Sequence, residues 1–161
     1  MVLDTDFLSS FLKIDRLNLV PEVFRVDTIR IPDAVYREVT VTSLLPLLIG
    51  FSKSAMLEVE EVQLADDPEP GASSLGLGER QAIALASLSV SSSILLMSDR
   101  KAILYAQGQG VRVLNIPAFL VLARDRGFLN REGLEQIISE LREKDHYGFS
   151  RAALEILLGT G

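Results

Sequence analysis

Residues Leu75 to Val113 read LGLGERQAIALASLSVSSSILLMSDRKAILYAQGQGVRV, and the pattern is helix, strand, helix, strand. An apolar-rich run after Gly78 gives the first helix, Glu79 to Leu88. The short apolar block Ile94 to Met97, set between serines and Asp99, gives the strand. A second helical run, Lys101 to Gln107, ends at Gly108 and Gly110 before Val111 to Val113. A carboxylate opens each helix. Glu79 stands in a first turn and Asp99 stands where a strand stops, which in an open parallel sheet is the edge that receives ligands.

Outward from this stretch, strands and helices continue to alternate. Val2 and Leu3 form a short strand leading to Asp4, with Thr5 and Asp6 as caps for a helix Phe7 to Ile14. Leu17 to Phe24 is a second helical piece interrupted by Pro21, and Val26, Ile29 and Ile31 make a strand closed by Pro32. Pro32 and Asp33 open a helix with Ala34, Val35 and Val39 on its apolar side and Arg37 and Glu38 at its polar margin. Ser43 to Met56 reads as helix, while Leu57 to Leu64, LEVEEVQL, fits an edge strand or more helix equally well. Ala65 to Ser74 is an exposed loop by its prolines, glycine and small polar residues. Helices follow at Pro117 to Arg126, Arg131 to Lys144 and Ser150 to Leu158, with Gly127, Ser150 and Gly159 as stop, cap and stop. No internal repeat is visible.

This order predicts a three-layer α/β/α sandwich around a central parallel sheet with right-handed crossovers. Ala82, Ala84, Ala86, Ala102 and Ala106 would let two helices lie close on that sheet. The 161 residues, 48% of them hydrophobic, suit one domain over 1–161, with a helical extension from about residue 128.

Composition removes several function classes. The chain has no cysteine, which excludes disulfides, thiolate nucleophiles and thiolate metal sites and makes a cytoplasmic location the default. The opening MVLDTD lacks the positive region and long apolar core of a signal peptide. The longest apolar run, Leu44 to Phe51, contains Pro46 and Gly50 and falls far short of the roughly 20 residues that span a bilayer. A soluble protein without membrane attachment is expected. Net charge is −6, the wrong sign for holding nucleic acid by bulk electrostatics, so contact with a polyanion must be local or carried by metal ions. Arg100 and Lys101, and Arg124, Arg126 and Arg131, are the short-range basic groups available, with a solvated surface as their blander role.

Asp4 and Asp99 each follow an apolar strand, so parallel neighbouring strands would bring both carboxylates to one sheet edge. Glu79 can join them from a helix start, where the macrodipole favours a negative charge, and Glu38 is a fourth acid able to face the same cleft. Carboxylates that converge without basic partners repel one another unless a divalent cation neutralises them, and all-oxygen ligands select hard ions such as Mg²⁺ or Mn²⁺. Taken singly, each acid also has an ordinary role as cap, turn or solvated residue. His146 is the only histidine, so a Ser-His-Asp triad or histidine-ligated metal would rest on it alone. LGLGERQ lacks the third glycine of a dinucleotide fingerprint, and no Walker A sequence occurs. Asp4-Thr5-Asp6 has the spacing of a phosphotransfer site, without a clear lysine after a later strand to complete it.

The segments VLDTDFL, IPDAVYREV, GERQAIALA and LLMSDRKAILYAQGQGVRV, between Val2 and about Gly127, resemble a PIN domain, the fold of VapC-type toxins and related ribonucleases. The resemblance is closest to the branch with a GERxAI-like helix and an SDRKA-like turn. It implies four metal-site acids, Asp4, Glu38, Glu79 and Asp99, with Glu79 where the common toxins have aspartate. Of these, Asp4, Glu79 and Asp99 would hold Mg²⁺ or Mn²⁺, and Glu38 would ligate or orient water. Asp6, Ser98, Arg100 and Lys101 become the substrate contacts. The resemblance further implies RNA phosphodiester hydrolysis and an antitoxin protein as a possible partner. A catalytically silent PIN-like module that binds RNA or protein is the alternative, and metal binding separates the two.

Leu44, Leu45, Leu47, Leu48, Ile49 and Phe51 point around most of a helix, more than one sheet can bury. They predict a homodimer or an antitoxin interface. The competing arrangement has the last helix, with Leu154, Leu157 and Leu158, folded back over them.

Overall fold

The computed structural model describes residues 1–66, 70–88 and 93–159. Residues 67–69 of the expected loop and 89–92 before the fourth strand lie outside that description, as do 160–161. In chain order the elements are β1 (Val2–Leu3), α1 (Thr5–Lys13), α2 (Leu19–Phe24), β2 (Ile29–Pro32), α3 (Asp33–Thr40), α4 (Leu45–Ser52), β3 (Leu57–Glu60), α5 (Leu77–Leu88), β4 (Ile94–Leu96), α6 (Arg100–Gly108), β5 (Arg112–Leu114), α7 (Ile116–Asp125), α8 (Arg131–Lys144) and α9 (Arg151–Leu158). The described strands form one parallel sheet in the order β3-β2-β1-β4-β5. The protein is a three-layer α/β/α sandwich.

The two helical layers follow from strand alternation, because successive side chains point to opposite faces. Leu3, Ile29, Ile31 and Leu96 join one core with α1, α3, α7 and α8, while Val2, Leu95 and Met97 join the other with α5 and α6. In the first core Phe7 and Phe11 stack at 4.8 Å, and Phe119 of α7 meets both edge-on at 5.6 and 5.3 Å. In the second, Ala82, Ala86, Ala102 and Ala106 are buried against the sheet and Ala84 is half-buried. Leu134, Ile137, Ile138 and Leu141 of α8 and Leu157 of α9 belong to the first core, so the segment after residue 128 packs into it against α1 and α7.

Several expectations change in detail. The ambiguous segment from Leu57 is strand β3, paired with β2 in the register Ile29↔Leu57 through Pro32↔Glu60. It ends at Glu60, where Arg30 Nη2 donates to Glu60 Oε2 at 3.0 Å. Pro21 does not interrupt its helix, because it falls in the first turn, where a backbone N–H has no helical acceptor anyway. Thr5 and Asp6 are inside α1, and Asp4 is the cap. Helix α4 is shorter than the expected 43–56: Leu44 and Leu48 are buried, and Leu47 and Ile49 are exposed at 42% and 43%. The last helix does not cover it, since α9 packs on α7 and α8 while α4 packs on α3. Among the described residues no helix is long and apolar enough to cross a membrane.

The basic group around Gly127 is structural. Arg124 Nη1 donates to the carbonyls of Ile156 and Leu157 at 2.7 and 2.9 Å, and Arg131 Nη1 to that of Leu158 at 3.1 Å. Both satisfy the orphan carbonyls that end α9. Arg126 Nη1 donates to the Val23 carbonyl at 2.7 Å and its guanidinium lies over the Phe24 ring at 5.8 Å.

Candidate active site

β1 and β4 are neighbours in register Val2↔Leu95 and Leu3↔Leu96. From β1 the chain passes through α1 and α2 towards β2 on one side, and from β4 through α6 to β5 on the other. Their carboxyl ends therefore flank the crevice where strand order reverses, the usual ligand position in such sheets. Asp4 directly follows β1 and Asp99 stands three residues past Leu96, so the sheet delivers both acids to this crevice.

Asp4 is 1% exposed. Its Oδ1 accepts from the Phe7 N–H at 2.8 Å, the Ser98 N–H also reaches its carboxylate, and its own N–H donates to the Leu96 carbonyl at 3.0 Å. Burial pushes its pKa up to about 8; the Phe7 and Ser98 amides oppose this, and the charges of Asp6 and Glu79 add to it. Asp99 caps α6, with Oδ1 accepting from the Ala102 N–H at 2.9 Å. Glu79, in the first turn of α5, reaches back so that Oε2 accepts from the Gly76 N–H at 2.8 Å. Partial burial raises its pKa against that bond, and the charges of Asp99, Asp6 and Glu38 raise it further.

Glu38 comes from α3. Its Oε1 accepts from the Gly78 N–H at 3.2 Å, and Thr5 donates its hydroxyl to Oε2. A Cβ at position 78 would stand 2.8 Å from both Glu38 oxygens, so glycine here lets the Glu38 carboxylate lie against the start of α5. Asp6, in the first turn of α1, has its pKa raised by partial burial and by Asp99, Asp145 and Glu38, with Lys13 opposing. The five acids thus form one electrostatic group in which the charges of Asp6, Glu38, Glu79 and Asp99 push neighbouring carboxyls up.

In the arrangement observed, no group of three or more His, Asp or Glu among the described residues is gathered tightly enough to hold a metal ion. Each of the four expected metal-site acids turns an oxygen to a nearby amide. The donor set still fits a hard divalent cation, being all oxygen and rich in negative charge. Ser98 Oγ, beside these acids, is buried and has no hydrogen-bond partner.

Asp6, Ser98 and Asp99 line a cleft of about 430 Å³ whose other wall is Asp145, His146, Tyr147 and Gly148, with Ser9, Ser10 and Lys13 along the floor. Arg100 and Lys101 are exposed on α6 and are not part of this lining. A larger hollow of about 630 Å³ lies between α7 and α9, and its lining includes none of these acids. Sequence reading missed the wall because it joins α1 to a turn 135 positions away, through Ser10 Oγ donating to Asp145 Oδ2 at 2.6 Å. Gln81 was missed as well. It is buried, accepts from the Ala34 N–H at 3.0 Å and donates to the Val62 carbonyl at 2.7 Å, and so locks α5 to the start of α3. A glutamine in the middle of an apolar helical run, GERQAIALA, was its only signal.

A family model, DUF3368, described as a PIN domain, matches residues 1–158. Neither a curated protein nor a solved structure matches the chain. With a parallel sheet that carries acids at its switch point, and with a match over nearly its whole length, the chain belongs to the PIN-domain family, a family of nuclease-type fold.

Proposed function

We propose that the protein is a Mg²⁺- or Mn²⁺-dependent endoribonuclease that hydrolyses RNA phosphodiester bonds, with residues 1–161 acting as one unit. What carries this reading is Asp4: a carboxyl 1% exposed, pushed up to about pKa 8 by burial, beside further acids and, among the described residues, without a salt-bridge partner. A carboxyl of that kind stays protonated at neutral pH unless a cation offsets its neighbours. Asp4, Glu79 and Asp99 are the ligands in this proposal. When bound, the ion supplies an activated water and charge stabilisation at the phosphate.

The remaining roles belong to the chain itself. Glu38, held by Gly78 and Thr5, orients the attacking water or ligates. Ser98 offers its unpartnered hydroxyl to a phosphate oxygen, Asp6 borders the substrate path, and Arg100 and Lys101 meet the flanking backbone from the rim. The exposed Leu47 and Ile49 of α4 suit a homodimer contact. An antitoxin partner, and with it the role of toxin, fits the same reading.

The test is cleavage of a 5′-labelled single-stranded RNA with Mg²⁺, with Mn²⁺ and with EDTA. Cleavage by the wild type with either ion, absent in EDTA and reduced at least about a hundredfold in Asp99→Asn, supports the proposal. A protein that binds the RNA but leaves it intact under all three conditions is a silent PIN-like module.

A further inference from the structure

Resting on the ribonuclease reading, we propose that the turn Asp145 to Gly148 is the specificity wall of this site. Tyr147 and His146 hold the base of the nucleotide next to the scissile phosphate in a single-stranded RNA.

The cleft has two chemically different sides. One side carries Asp6, Ser98 and Asp99; the other carries His146, the chain's only histidine, and Tyr147, which also borders the hollow between α7 and α9. Its volume, about 430 Å³, lies in the range that takes one small molecule, roughly 300–1,000 Å³, so it suits one nucleotide. Flat rings beside a phosphate-directed group are how proteins hold an unstacked base, and bases in a helix cannot reach such rings.

The wall is rigidly placed. Asp145 ends α8 and is clamped to α1 by Ser10 at 2.6 Å and by Lys13 Nζ at 2.6 Å. His146 then takes a left-handed backbone, φ 54°, which turns the chain sharply after the helix. Tyr147 is half-buried and its ring meets Phe149 edge-on at 4.8 Å, so the phenol is set in place before a ligand arrives. Lys13, already paired with Asp145, braces the wall and contributes little free charge to a phosphate. With a net charge of −6, RNA affinity here comes from stacking more than from counterion release, which predicts an unusually shallow salt dependence.

The experiment measures binding of a fluorescein-labelled RNA hexamer in Ca²⁺, and the map of cut sites in Mn²⁺. It compares wild type, Tyr147→Phe, Tyr147→Leu and His146→Gly, the last being compatible with the left-handed backbone. Tyr147→Leu should weaken binding roughly tenfold to a hundredfold and redistribute the cut sites among base contexts. Tyr147→Phe should behave as the wild type, His146→Gly should fall between, and all four should keep the same Mn²⁺-induced rise in Tm. Wild-type binding and cut sites in both Tyr147→Leu and His146→Gly overturn the wall while leaving the ribonuclease intact. Loss of the Mn²⁺ response in Tyr147→Leu overturns it too, since the ring is then scaffold for the acids. A wild type that neither binds nor cuts the hexamer removes the ribonuclease reading, and the wall with it.

Discussion

Replacing Asp4 by asparagine should cost stability in the metal-free protein at pH 5, and its stability relative to the wild type should climb as pH rises. The folded protein raises the Asp4 pKa from 3.8 to about 8, chiefly by burial. It therefore holds this proton more tightly than the unfolded chain does. The stability tied to that proton is fully present below about pH 4 and is lost as pH rises to about 8. At 1.36 kcal/mol per tenfold change in proton affinity, the loss between pH 5 and pH 8 is at most about 4 kcal/mol. Asparagine cannot ionise, so it avoids this loss. It offers only one acceptor to the Phe7 and Ser98 amides, at a pH-independent cost of about 1–3 kcal/mol. The difference across pH isolates the ionisation: in EDTA, the Tm of Asp4→Asn relative to the wild type should climb by roughly 10 °C from pH 5 to pH 8, at about 2–4 °C per kcal/mol for a chain of this size. Differential scanning fluorimetry measures it. Millimolar Mn²⁺ should then raise the Tm of the wild type by mass action and leave the variant unmoved. Parallel pH profiles, or an equal response to Mn²⁺ in both proteins, would refute the reasoning.

Other substitutions probe the frame around the acids. Gly78→Ala puts a Cβ 2.8 Å from both Glu38 oxygens; because alanine favours helix by about 1 kcal/mol, urea melts should show little loss of stability, while cleavage falls by about tenfold or more as Glu38 is displaced. Gln81→Leu strands the Ala34 N–H and the Val62 carbonyl in the core, and should cost about 2–4 kcal/mol in urea unfolding. Leu47→Glu with Ile49→Glu should convert a dimer to a monomer by light scattering at micromolar concentration without loss of helicity, since both side chains are exposed in one chain.

How much of this was legible in the sequence depended on distance along the chain. Strands followed by acids, and helices with caps or glycine stops, are local signals, so β1, β4 and the helices from α5 to α9 were found nearly in place. Two local misreadings and one choice left open have local causes. Asp4 could act as strand-end acid and as helix cap at once, which moved the start of α1 to Thr5. Pro21 is harmless in a first turn. LEVEEVQL carries no period that separates strand from helix until Ile29 and Ile31 offer it a partner. The grouping of the acids followed from strand adjacency, which the family resemblance suggested and the sheet order supplies. The far wall of the cleft had no such signal: Ser10 and Asp145 meet only because α8 packs on α1.

Anomalous diffraction from a crystal soaked in Mn²⁺ reports whether these acids hold a divalent cation. A single strong Mn²⁺ site, or two adjacent ones, is expected, bounded by the carboxylates of Asp4 and Asp99 with Glu79 within coordination distance of about 2.0–2.6 Å. A crystal with no Mn²⁺ peak in that crevice at saturating ion, or with the ion bound only elsewhere on the surface, would contradict that expectation.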